Sequence, residues 1–422
     1  MMSRHWLTRL ALTAALLAAL IAPAVAAPLA DSAILFIGDG MGPGHIQVAR
    51  AASGGDRLAM ETLPFSGFAT THPANGDVTD SAAAGTALAT GHKTNNGMIG
   101  MTPDGRRLTT ILERAQAMYK ATGIITTDAL WGATPASFAA HVDSRGKSAE
   151  IAAQMAASGA EVMMGFWKDQ LLPTSAGGKR TDGRDLIAEM QKAGYQVVYT
   201  KDELAAARGD KLVGLFDDGE QAPSLFDMVA AALERLSRNP RGFFLMVEGA
   251  RIDWFSHDND PAGAVLDVRE LDAAVSKATQ FVRQRGKTLV VVTADHETGG
   301  LTVMDGSKLK ALAGVTMPSS DMAAKLSKER DNVGEVLRLG AGITDVTAAE
   351  ADNVRKAADP SAAVAQVISA RSGLVWSTGG HTATRVRVFA FGPGAQRFSG
   401  DLDNTDIPKR TADSIGAGPL GD

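Results

Sequence analysis

The chain has 422 residues, 42 Lys and Arg against 47 Asp and Glu, a net charge of −5 and no cysteine. The acidic balance argues against a general nucleic-acid binder. The missing cysteine excludes disulfides, thiolate metal ligands, a cysteine nucleophile and a lipoprotein anchor, which leaves core packing and bound metal to hold the fold.

Residues 1–26 read as a cleaved secretory signal peptide. Arg4 and Arg9 give a positive start, Leu10 to Ile21 is apolar but short for a bilayer span, and Ala24-Val25-Ala26 offers small residues for cleavage. The expectation is an exported protein, periplasmic or secreted, that is not held in a membrane. Loss of Arg4 and Arg9 with no acidic residue moves the net charge from −5 to −7.

From there apolar runs alternate with helical patterns. Strand-like runs lie near 33–37, 123–126, 162–165, 196–199, 211–216, 243–247, 288–292 and 385–391. Helix-like stretches lie near 81–90, 107–119, 148–158, 184–193, 224–238 and 261–285, with Gly91, Gly194 and Gly286 where C-caps belong. This alternation predicts an α/β fold, a three-layer α/β/α sandwich around a large, mostly parallel sheet. Residues 301–375 hold short helical patterns and few strand signals. They read as a mainly helical insertion or cap within one catalytic domain, 27–422, and Leu374-Val-Trp-Ser-Thr reads as a return to the sheet.

Three of the strand-like runs end in metal-binding side chains. The first ends at Asp39. The second ends at Glu248, with Asp253 and His257 just beyond, and the third ends at Asp295-His296. Open α/β sheets bind ligands at the carboxyl edge of their strands, so these groups predict a cluster of metal ions. His381, in Thr378-Gly-Gly-His-Thr, stands where glycines let backbone and metal approach closely. A single histidine of this kind is commonly structural, and the other four of the mature chain, His45, His72, His92 and His141, are assigned to structure.

Ser81 precedes an Ala-rich, helix-forming run, which puts it at a helix N-terminus. Such a serine is either an ordinary cap or a group placed where backbone N–H groups favour an anion. Arg145, in His141-Val-Asp-Ser-Arg, is either a surface ion-pair residue or a guanidinium that grips two oxygens of a phosphate.

Six motifs together give a resemblance. Ile37-Gly-Asp-Gly-Met-Gly42, Thr79-Asp-Ser-Ala-Ala83, Ala133-Thr-Pro-Ala136, Val247-Glu-Gly-Ala-Arg-Ile-Asp253, Val292-Thr-Ala-Asp-His296 and Gly379-Gly-His-Thr382 occur in the order they take in the alkaline phosphatases. The chain resembles that family, within the wider alkaline phosphatase/sulfatase superfamily, from about residue 33 to 392. The resemblance implies a phosphomonoester hydrolase that forms a phosphoserine on Ser81. It implies two Zn2+, one held by Asp253, His257 and His381 and the other by Asp39, Asp295 and His296. It implies a neighbouring Mg2+ held by Asp39, Thr134 and Glu248, and an Arg145 that clamps phosphate oxygens.

Two positions depart from the family pattern. Gly132 stands where relatives commonly carry Asp or His, which predicts a weakly held magnesium. Trp254 stands where the family varies among Lys, His and aromatic residues. It either packs or shapes the substrate mouth, and in the second case it predicts weaker product phosphate binding. Small phosphomonoesters are the expected substrates, inorganic phosphate the product and inhibitor, and the assembly a monomer or homodimer. Phosphodiester or phosphonate hydrolysis, or phosphate and metal binding without catalysis, are the alternatives. Ser81-Ala-Ala-Ala-Gly departs from the Cys/Ser-x-Pro-x-Arg motif typical of sulfatases.

Overall fold

The computed structural model describes residues 29–420, so the segment read as a signal peptide lies outside the described residues. The strands are β1 (Ser32–Gly38), β2 (Phe65–Thr70), β3 (Ala121–Ala129), β4 (Val162–Phe166), β5 (Gln196–Val198), β6 (Leu212–Phe216), β7 (Phe243–Gly249) and β8 (Thr288–Ala294). They continue with β9 (Glu297–Thr298), β10 (Thr302–Val303), β11 (Leu374–Val375), β12 (His381–Thr382), β13 (Val386–Phe391) and β14 (Gly400–Asp403). Ten of them form one sheet in the order β14-β2-β13-β8-β1-β7-β3-β4-β6-β5.

Only β13 runs antiparallel to its neighbours in this sheet. The central strands are apolar along their whole length because both faces are covered by helices. Ala33 to Ile37, Phe243 to Val247 and Leu289 to Val292 are all buried. The architecture is thus the α/β sandwich with a large, mostly parallel sheet that the apolar runs predict.

Four adjacent strands, β8, β1, β7 and β3, carry the chemistry. In register, Gly38 lies beside both Gly249 and Ala294, and Glu248 lies beside Thr126. Asp39, Glu248, Asp295 and the end of β3 therefore meet at one carboxyl edge.

The structure differs from the expectation at Leu374-Val375. This pair does not join the central sheet but forms a two-stranded antiparallel ribbon with β10. The ribbon closes the segment between them, whose helices bury Leu312, Met322, Leu337 and Val364 together with Val48 and Val265 from the sandwich helices. Short apolar runs look alike in a ribbon and in a core sheet, and only long-range pairing separates them. The edge strand β14, its neighbour β2 and the helices Pro43–Ala52, Arg251–His257 and Asp406–Ser414 are further elements that the apolar runs do not predict.

Candidate functional site

The turn after β1 brings Asp39 inward. Gly40 takes φ 72°, and a Cβ there would lie 2.8 Å from both Asp253 Cα and Thr298 Oγ1. Glycine allows both the backbone conformation and this close approach. Asp39 then faces two ways. Its Oδ1 lies 3.3 Å from His296 Nε2, and its Oδ2 accepts from Thr134 Oγ1 at 3.4 Å.

The helix Ser81–Thr90 ends in this space. Asp80 caps it by accepting from Ala83 N at 2.9 Å, which leaves Ser81 as the first helical residue, its Oγ 3.2 Å from His296 Nε2. The helix can lie this close to the turn Ala133–Ala136 because Gly85 has no side chain; a Cβ there would meet Ser137 Oγ at 2.8 Å. Arg145 reaches over the rim and donates from Nη1 to Asp80 Oδ2 at 3.2 Å. It is thus paired and partly exposed, one residue from Ser81.

Past β7, the helix Arg251–His257 puts Asp253 and His257 one turn apart on one face. Asp253 Oδ2 lies 3.2 Å from His257 Nε2, and Asp253 Oδ1 lies 3.5 Å from His381 Nε2. His257 Nδ1 is 2.7 Å from the Gly379 carbonyl, and His381 Nδ1 is 2.8 Å from the Thr79 carbonyl. A carbonyl only accepts, so each Nδ1 carries the proton. With Nδ1 so engaged, the two rings bring their Nε2 atoms within 3.2 Å of each other. One proton can serve one of these acceptors, whereas a cation serves both and the carboxylate as well.

Asp295 and His296 complete the cluster. Asp295 Oδ1 accepts from Gly40 N at 3.1 Å, while Oδ2 lies 3.2 Å from His296 Nε2. Thr298 Oγ1 donates to Asp253 Oδ1 and stands 3.2 Å from His296 Nδ1. The Thr298 oxygen accepts the Nδ1 proton, so His296 Nε2 presents its lone pair to Ser81, Asp39 and Asp295.

The electrostatics suit the binding of a cation. Asp39 Oδ1 and Asp295 Oδ2 are buried without any hydrogen-bond donor. Burial, then Asp295, raises the Asp39 carboxyl well above the usual range. Burial, then Asp253, pushes Asp295 up to about 7, and burial, then Asp128, pushes Glu248 up to about 8. Burial, then His381, lowers the His296 imidazole. Burial raises Asp253, but the His257 hydrogen bond with His296, Thr298 and His381 outweighs it and holds the carboxyl well below its usual value. Asp253 in turn pushes His257 up to about 9. Buried carboxylates that ionise only at a cost, with oxygens unpaired, are what divalent ions with oxygen and nitrogen ligands neutralise. Among the described residues two sets of ligand atoms lie close enough together to share an ion, Asp253 with His257 and His381, and Asp39 with Asp253 and His296.

The structure therefore gathers Asp39, Ser81, Asp253, His257, Asp295, His296 and His381. Thr134 and Glu248 adjoin them, and Arg145 lies at the rim. Trp254, 37 % exposed, stacks on Trp167 with ring centres 5.7 Å apart and planes at 11°. The other histidines lie elsewhere; buried His45 bonds to Gly42 N and Ser256, and His141 to Gly100 and Glu113. Thr298, Thr126, Asp80 and Asp128 were missed by sequence reasoning. Asp80 lies within the Ser81 motif and Thr298 two residues past His296, but nothing local says what any of the four side chains touches.

Comparison with known proteins agrees with this geometry. The family model described as alkaline phosphatase matches residues 30–416. Alkaline phosphatase 4 of Bacillus subtilis is 37% identical, over 88% of this chain and 86% of the relative. The crystal structure of a cold-active alkaline phosphatase from a psychrophilic Shewanella is 32% identical with a TM-score of 0.83, covering 91% of this chain and 99% of that one. The alkaline phosphatase of Thermus thermophilus has a TM-score of 0.83 at 30% identity, covering 94% and 93%.

Proposed function

This chain belongs to the alkaline phosphatase family, whose activity is phosphomonoester hydrolysis, and from that premise we propose a mechanism through a phosphoserine on Ser81. In this reading Asp253, His257 and His381 would hold one zinc ion, and Asp39, Asp295 and His296 a second. Asp39, Thr134 and Glu248 would hold a magnesium ion. When bound, such ions supply Lewis acidity and positive charge for the attacking and leaving oxygens.

The chain's own groups do the rest. Ser81 Oγ loses its proton and forms a bond to phosphorus as the ester P–O bond breaks, and the departing oxygen takes up a proton in exchange and leaves as the alcohol. Water then forms a new P–O bond as the Ser81 Oγ–P bond breaks, releasing inorganic phosphate and restoring the serine. Arg145, held by Asp80, and the free N–H groups of the first helical turn neutralise charge on the three phosphoryl oxygens that keep their bonds. Thr298 fixes the His296 tautomer, and burial of Asp39, Asp295 and Glu248 keeps water away from their charges.

The observation that carries this reading is the Ser81 hydroxyl beside His296 and two buried carboxylate oxygens, Asp39 Oδ1 and Asp295 Oδ2, that receive no hydrogen bond. We propose further that residues 27–422 act as one catalytic unit capped by 301–375. The sequence features of 1–26 support export to the periplasm or medium, and among the described residues no helix is long and apolar enough to cross a membrane.

The test is Ser81→Ala. It removes the nucleophile but no ligand. Turnover of an aryl phosphate should fall roughly 10^4-fold or more, on the scale seen when a covalent nucleophile is removed, while zinc content and inorganic phosphate binding persist. Hydrolysis within tenfold of wild type, with metal retained, would refute the phosphoserine.

A further inference from the structure

Gly132 lies two residues before Thr134, a ligand of the proposed magnesium. Its backbone, at φ −57° and ψ 157°, suits any residue. Space, not conformation, demands glycine. A Cβ built there would lie 2.7 Å from Asp128 Oδ2, 3.0 Å from the Ala129 carbonyl oxygen and 3.2 Å from Asp128 Cγ. The volume that a side chain at 132 needs is already taken by the Asp128 carboxylate.

Asp128 is fixed in that position. Its N–H donates to Thr126 Oγ1 at 2.9 Å, and the Thr126 hydroxyl donates to Glu248 Oε2. Its Oδ1 accepts from Ala129 N at 2.6 Å. Among the described residues Oδ2 has no donor. The charge it carries acts on Glu248 more strongly than that of any other residue, and it feels Arg145, Arg251 and Asp253 in turn. Thr126 thus ties the Asp128 segment to Glu248, and one of the Asp128 carboxylate oxygens is unused.

We infer that Asp128 replaces, from four residues upstream, the side chain that Gly132 lacks, and accepts hydrogen bonds through Oδ2 from the water shell of a magnesium ion held by Asp39, Thr134 and Glu248. Magnesium keeps several of its waters, and carboxylates that receive those waters orient the ion. Asp128 is a positioning residue in this account. The inference rests on the oxygen-donor site proposed above, and it replaces the expectation that Gly132 leaves that site weak. It also explains the pairing of an acid at 128 with a glycine at 132, since the two positions compete for one space.

The test uses the full chain loaded with zinc, with magnesium titrated by calorimetry and by the rise in melting temperature. Asp128→Asn keeps the acceptor for Ala129 N and the side-chain shape. It should weaken magnesium binding roughly tenfold or more, the usual effect of losing such a partner, and leave the melting temperature without magnesium unchanged. Gly132→Asp alone should not tighten binding, because its Cβ meets Asp128. The double variant Asp128→Ala/Gly132→Asp should return affinity to near the wild-type value. Wild-type affinity in Asp128→Asn, with binding lost in Glu248→Gln, overturns the inference alone. If the zinc-loaded wild type binds no magnesium, the third-ion reading falls and takes the inference with it.

Discussion

Thr298 links two of the gathered groups through one hydroxyl. Its Oγ1 donates to Asp253 Oδ1 and receives the Nδ1 proton of His296 across 3.2 Å. Thr298 is fully buried, as is His296, and Asp253 is nearly so. Thr298→Val keeps the shape and the strand preference but removes both bonds. A buried hydrogen bond to a charged group contributes about 1.5–3 kcal/mol. Loss of the Asp253 bond alone should then weaken zinc binding roughly 10- to 100-fold, at 1.4 kcal/mol per tenfold. The His296 bond adds less than its full value, because the two share one oxygen. The assay is zinc competition against a chromogenic chelator, with Thr298→Ser as the control that restores the hydroxyl. Zinc affinity within twofold of wild type in Thr298→Val would show that the hydroxyl does not orient the ligands, and the tautomer assigned to His296 would lose its support.

Three more outcomes follow from the same geometry. Arg145→Ala should lower kcat/KM for an aryl phosphate by about 100-fold, the low end for loss of a donor to transition-state charge, because the guanidinium is partly exposed; a change below threefold would remove it from the phosphate-binding groups. Trp254→Lys places an ammonium where the indole stacks on Trp167, and should tighten inhibition by inorganic phosphate about tenfold, a charge-assisted contact of ~1.4 kcal/mol; unchanged inhibition would leave Trp254 a packing residue. The third outcome concerns pH. With metal stripped by chelation, Asp39, Glu248 and Asp295 keep protons that the unfolded chain releases near pH 4. The apoprotein should therefore lose stability as pH rises from about 5 towards 8, where Glu248 titrates. His257, raised to about 9, acts in the same direction above pH 6.5, and the lowered His296 and His45 oppose it below that pH. Melting temperatures with and without chelator across this range should diverge as pH rises, and parallel curves would contradict the assignment of these carboxylates to a cation site.

The amino-acid sequence by itself determines the sandwich and its functional edge. Runs such as Thr288 to Ala294 are apolar throughout because both faces are buried, and their length marks them as strands without reference to the rest of the chain. Residues that interrupt those runs with acids, as Asp39, Glu248 and Asp295 do, declare themselves locally, and six motifs in order supply the partners.

Tertiary structure decides what depends on distance between positions far apart. It puts β13 antiparallel between β8 and β2, pairs β11 with β10 rather than with the sheet, and brings His381 Nδ1 to a carbonyl 302 residues away. It also joins Thr298 to Asp253 and lets Asp128 fill the space at Gly132. Periodicity records which face of an element is buried. It does not record which side chain waits on the other side of that face, and hydrogen bonds and steric exclusion are set there.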